Sequence, residues 1–145
     1  MKFAAIIPVF ILSLTMPVQD ARASEEFVVV VNPQNPTSKI NKNELIDIYM
    51  GKRTAFPGGS KAFPLDFEMN SKLRTGFYQS LLGIPVARVN AYWSRIRFSG
   101  KVSPPMTHAD LPSVLDYVAN NTMAIAYIPK SAITDNVKVV YRLYE

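Results

Sequence analysis

A chain of 145 residues with no cysteine, one histidine and one tryptophan is sequence for a single domain, and a fold of that size buries enough surface to stand on packing without disulfides. Lacking thiols and a second imidazole, it offers none of the ligand clusters that hold zinc or other transition metals, so neither a metal nor a cofactor is expected. Sixteen Lys and Arg against eleven Asp and Glu give a formal charge of +5, a modest balance that either favours small anions, acidic polysaccharide or membrane headgroups over nucleic acid or is simply a soluble basic surface.

The first 23 residues, MKFAAIIPVFILSLTMPVQDARA, carry Lys2, an apolar run from Phe3 to Leu14 and a closing Ala21-Arg22-Ala23. This is the build of a secretory leader cleaved near Ala23, and the run is too short, with Pro8 inside it, for a good membrane span. The expectation is a periplasmic or secreted domain of residues 24–145 with no stable membrane anchor. Losing Lys2, Asp20 and Arg22 leaves it 14 basic and 10 acidic residues, a net +4.

EEFVVVVNP (25–33) is β-branched without alternation and predicts a strand buried on both faces. Prolines 33 and 36 mark a loop, after which Asn41 and Glu44 stand at capping-box spacing before a short helix carrying Leu45, Ile46 and Tyr49 and ending at Gly51. Residues 52–61 hold Pro57-Gly58-Gly59 and predict a turn. AFPLDF (62–67) resumes an extended run whose Pro64 points to an edge or a bulge. Leu73, Phe77 and Leu81 then mark a helix over about residues 71–82, stopped by Gly83 and Pro85. Another helix is predicted over 85–101, with Val86, Val89, Trp93 and Ile96 on its core face and Arg95 and Arg97 on the opposite side. Residues 102–110, with Pro104-Pro105 and the lone His108, predict a polar surface loop. Asp110 caps a further helix carrying Leu111, Val114, Leu115 and Val118, and two extended runs, 123–129 and 137–145, close the chain. Short strands separated by helices predict an α/β layer on a mixed sheet.

Nothing in this pattern assembles a catalytic centre. His108 has no nucleophile-elbow serine, Asp66 and Glu68 are not a convincing acid–base pair, and the glycines of 58–59 are followed by no Lys-Ser or Lys-Thr. The expectation is therefore a protein that is not an enzyme. One junction does suggest chemistry. In PLDFEMNSKLRTGFYQ (64–79) a strand runs into a helix whose first turn holds Lys72 and Arg74, where the macrodipole prefers acids. Either an anion sits there, on free backbone N–H groups with Ser71 turned toward it, or Asp66 and Glu68 neutralise the two cations.

The order of four segments, VVVVNPQNP, INKNELIDIYMGKRTAFPGG, PLDFEMNSKLRTGFYQSLLG and MAIAYIP, resembles the phosphate-binding periplasmic components of ABC phosphate transporters, and AYWSRIRFSGK resembles their short single-domain members. That resemblance implies one α/β lobe of a type II periplasmic-binding-protein-like fold, a mixed sheet flanked by helices. Where the family carries an R-x-x-x-S-G-T-R anion loop, this chain keeps Ser71 and Arg74 but has Phe67, Lys72 and Leu73 in place of the arginine, glycine and threonine; in the last strand Met123 and Ala126 replace glycines. The implied function is binding of phosphate or a related oxyanion by Ser71, Arg74, Lys72 and Asn70, with Asp66 accepting from a protonated ligand oxygen, in partnership with a transporter permease. The altered loop and the missing second lobe admit an alternative: a lobe that serves as a protein interaction or assembly module, binding another protein or a second copy of itself.

Overall fold

The computed structural model describes residues 24–144; the predicted leader and its cleavage near Ala23 lie outside the described residues. In chain order the elements are β1 (Phe27–Val31), α1 (Lys42–Tyr49), β2 (Phe63–Phe67), α2 (Lys72–Leu82), α3 (Val86–Arg97), β3 (Met106–His108), α4 (Leu111–Asn120), β4 (Ala124–Pro129) and β5 (Lys138–Arg142), with a 3₁₀ turn at Lys130–Ala132. The five strands form one mixed sheet in the order β3-β2-β4-β1-β5.

All five residues of β1 and all six of β4 are buried, as their unalternating apolar sequences require: both strands are interior and covered on both faces. They pair antiparallel with Val29 opposite Tyr127, and β5 joins the far side of β1, also antiparallel. On the other side β2 runs parallel to β4 and to β3. Pro64 is accommodated because β3 pairs only with Leu65, Asp66 and Phe67, so β2 is an edge at the proline and interior beyond it. The strand β3 corrects the loop expected over 102–110. Three residues behind Pro104-Pro105 give no periodic signal, and the strand exists only because β2 offers it a partner.

The helices start and stop largely where their caps dictate. The Asn41 side chain accepts from the Glu44 amide at 2.9 Å and the Glu44 carboxylate accepts from the Asn41 amide at 3.0 Å, a closed capping box worth about 1 kcal/mol. Asp110 accepts from the Ser113 amide at 2.9 Å at the start of α4. Two glycines permit close approaches: a Cβ at Gly51 would lie 2.8 Å from the Trp93 ring, and one at Gly76 would lie 3.1 Å from the Phe27 ring.

What positions the site is an aromatic cluster linking α1, α2, β1 and β4. Phe77 of α2 stacks on Tyr127 of β4, with centroids 3.6 Å apart and planes within 3°. Tyr49 and Phe27 meet Phe77 edge-on at 5.1 and 6.2 Å. Burying each such ring contributes roughly 1.5–3 kcal/mol, and together they fix the face of α2 that looks onto β2.

Candidate oxyanion site

The chain leaves the sheet at Asp66-Phe67 and enters α2 five residues later. Asp66 is buried, at 3 % exposure. Its Oδ1 accepts from the Phe67 amide at 2.8 Å and from the Tyr127 hydroxyl. Its Oδ2 accepts from Arg74 Nε at 3.1 Å and from the Tyr78 hydroxyl at 2.8 Å. Arg74 and Tyr78 reach the same oxygen because they are four apart on α2, while Tyr127 comes from β4, next to β2 in the sheet. A carboxylate has about four acceptor positions, and the protein fills them all. Burial first, then the Asp66 charge, raises the Tyr78 and Tyr127 hydroxyls well above their ordinary range, so both remain protonated donors. Tyr49 is raised for the same reasons and donates to the carbonyls of Leu65 and Ile125 at 3.0 and 3.3 Å.

Arg74, 7 % exposed, is held on two more sides. Its Nη1 donates to Asn90 Oδ1 on α3 at 2.6 Å, and its guanidinium lies over the Tyr78 ring at 5.2 Å. The cation therefore points inward, toward α3. Beside it opens a pocket of about 140 Å³ walled by Arg74 and Met69, by Asn90, Trp93, Ser94 and Arg97 along α3, and by Pro104, Pro105 and Thr107 before and within β3. The four α3 residues are spaced i, i+3, i+4, i+7, so they share a face. This corrects the expectation that Arg97 lies opposite Trp93: four residues apart, they are neighbours on one stripe, with the tryptophan buried and the arginine exposed beyond it. Two wider clefts, about 380 Å³ between residues 38–42 and β5 and about 400 Å³ beside Lys61 and Lys101, adjoin no buried charge.

Of the residues expected to bind an anion, the structure brings together Asp66 and Arg74, as an ion pair. Ser71 is the N-cap of α2, but its side chain makes no capping bond. Asn70 and Lys72 are exposed at the same helix end, where the first-turn amides have no intrahelical acceptor. Half of the neutralising alternative is realised, by Asp66 on Arg74. Among the described residues Glu68 forms no ion pair with Lys72. Asp66, expected to accept from a ligand oxygen, instead accepts from four donors of the chain, and its observed work is to orient Arg74.

His108 departs from the surface loop expected for it. It sits half-buried in β3, its Nδ1 is 2.8 Å from Ser113 Oγ, and its ring packs edge-on against Tyr117 at 5.2 Å. Among the described residues no group of His, Cys, Asp and Glu gathers that could hold a metal. Sequence reasoning passes over Tyr78, Asn90 and Ser94 and puts Arg97 on the wrong face, although helical spacing could have placed them from Arg74 and Trp93. Tyr127 and Thr107 arrive from distant strands, and no local pattern announces them.

This sheet order with its covering helices defines one lobe of the periplasmic-binding-protein-like fold. Among solved structures the chain is similar to an ABC-type phosphate transport receptor from Vibrio cholerae (20 % identity, TM-score 0.63, covering 80 % of this chain and 45 % of that one). It is also similar to a protein described as a phosphate ABC transporter substrate-binding protein from Clostridium perfringens, solved with bound phosphate (19 %, 0.63, 80 % and 44 %), and to PstS from Borrelia burgdorferi (11 %, 0.56, 80 % and 46 %). The chain thus spans less than half the length of each. No protein-family model and no curated protein sequence matches it.

Proposed function

We propose that the chain is an exported, non-enzymatic solute-binding lobe that holds phosphate or a related small oxyanion at the β2–α2 junction. The observation that carries this reading is Arg74: a buried guanidinium braced by Asp66 and Asn90 at the start of a helix with no acid in its first turn and no side-chain cap. Two of its five N–H donors are engaged by those braces, and the rest, with the first-turn amides of α2, favour an anion. Ser71 contributes an uncommitted hydroxyl, and Asn70 and Lys72 add donors and charge at the rim. Asp66 is saturated and cannot serve as a general base, which supports a binding role over a catalytic one. The leader-like residues 1–23 support export, and the likeness to phosphate receptors supports the ligand class and a transporter permease as partner.

Calorimetric titration of the chain with inorganic phosphate tests the reading. Saturable binding is expected, weakened in Arg74→Lys, which keeps a charge beside Asp66 but loses the planar fork, and weakened again in Ser71→Ala with Lys72→Ala. Absence of heat up to millimolar phosphate would remove it.

A second reading, the lobe as an interaction or assembly module, is favoured by apolar exposure on the elements around the pocket: Met69 at 66 %, Phe98 at 93 % and Met106 at 46 %. Light scattering and cross-linking in the exporting cell decide it. A strict monomer that captures no protein counts against it.

A further inference from the structure

Resting on the oxyanion reading, we infer that the ion sits in the pocket between α2, α3 and β3, on donors from Arg74, Asn90, Trp93, Ser94, Arg97 and Thr107, and that this pocket accepts sulfate as readily as phosphate. The buried network leaves mainly donors among the charged and amide side chains on its walls. The carboxylate of Asp66 is filled by four donors of the chain, so the one charged acceptor at the pocket is closed to a ligand. The Asn90 carbonyl oxygen is taken by Arg74, which leaves its amide NH₂ without a partner among the described residues. Arg97 and Ser94 on α3 and Thr107 on β3 line the cavity, and none makes a side-chain hydrogen bond among the described residues. Arginine and the indole N–H can only donate.

Trp93 gives the independent sign of a missing partner. It lines this cavity, is 5 % exposed, and its Nε1 is buried without a hydrogen-bond acceptor among the described residues, a state that native structures rarely leave unanswered. The lining carries one net positive charge, Arg97 beyond the balanced Asp66–Arg74 pair, which together with these donors calls for an acceptor-rich anion. A volume of about 140 Å³ has room for a small tetrahedral oxyanion. Because the uncommitted side-chain acceptors on the wall are the Ser94 and Thr107 hydroxyls, with no free carboxylate among them, the wall makes no strong demand for a protonated ligand oxygen. Phosphate and sulfate then differ little.

The chain's single tryptophan makes the test site-specific. The indole N–H resonance of Trp93 in the full chain is followed while sodium phosphate, or separately sodium sulfate, replaces chloride at constant ionic strength. Saturable movement is expected with both ions, with half-saturation within a few-fold of each other. Arg97→Ala should raise it at least about tenfold through loss of a charge-assisted donor, whereas Arg88→Ala, which removes an exposed cation of α3 outside the pocket, should leave it unchanged. Calorimetric phosphate binding with a stationary indole signal, lost in Ser71→Ala with Lys72→Ala but kept in Arg97→Ala, would place the ion on the helix end and overturn the pocket while sparing the oxyanion reading. A strong preference for phosphate over sulfate would reveal a strong acceptor in the wall and overturn the donor-dominated site. No heat and no indole movement with either ion would end both readings.

Discussion

The helices α1 and α2 begin in opposite ways. At α1 the chain closes its own end: Asn41 and Glu44 bond each other's amides, and Glu44 puts an acid in the first turn. At α2 the first turn holds Lys72 and no acid, Ser71 makes no cap, and the nearby carboxylate, Asp66, lies buried beneath, committed to Arg74 and two tyrosines. A helix end answered by its own side chains is structural, whereas one whose acid is turned elsewhere keeps its positive potential. The α2 corner is also costlier to disturb, because a buried polar network depends on each member.

The largest effect expected from that difference is alkaline. Tyr49, Tyr78 and Tyr127 are all raised above 10.0 by burial and then by Asp66. An acid raised in the fold holds its proton more firmly folded than unfolded, so its contribution is complete below the unfolded value near 10.0 and declines as pH rises beyond it. Tyrosinate absorbance from the buried three should therefore appear together with cooperative loss of helical circular dichroism. Smooth titration of all seven tyrosines in an intact fold would contradict the network. Next in size is Asp66→Ala. It strands a guanidinium with 8 % side-chain exposure and two hydroxyls, at a cost of about 3–5 kcal/mol read as a shift in the urea midpoint. Tyr127→Phe keeps the stack on Phe77 and removes one donor, so a loss of about 1–3 kcal/mol is expected; an unchanged midpoint would show that this hydroxyl bond is not worth making.

How much of this was legible follows the range of the interactions. The valines of β1, the capping box at Asn41 and Glu44, the Asp110 cap and the stop at Gly83 are local signals, and the sequence pattern and the structure agree on them. The strand at Met106–His108 was illegible because a three-residue strand is defined by its neighbour. At the site, Arg74 and Asp66 were singled out, but the direction of Arg74 was not: that depends on Asn90 in the next helix and on Tyr127, 61 residues from Asp66 in the chain. Helical spacing and the structure agree on Trp93 as core, yet its N–H, which core packing leaves unpaired, depends on long-range packing that no local pattern encodes.

The smallest effects test the comparison most directly. Asn41→Ala opens the capping box and should cost about 1 kcal/mol, whereas Ser71→Ala, at a cap that makes no side-chain bond, should change stability by no more than a few tenths. Ser71→Asp goes further. A carboxylate at that position supplies both the missing cap and the missing first-turn acid, so it should stabilise the fold by about 0.5–1 kcal/mol. The same charge occupies the potential an anion would use and should weaken phosphate binding. If Ser71→Asp leaves stability unchanged, the open end of α2 carries no usable potential, and the contrast with α1 is one of sequence only. If stability and phosphate binding move in opposite directions, the charge that completes the uncapped end of α2 is one that the bound ion feels, and the open end supplies potential to the neighbouring site.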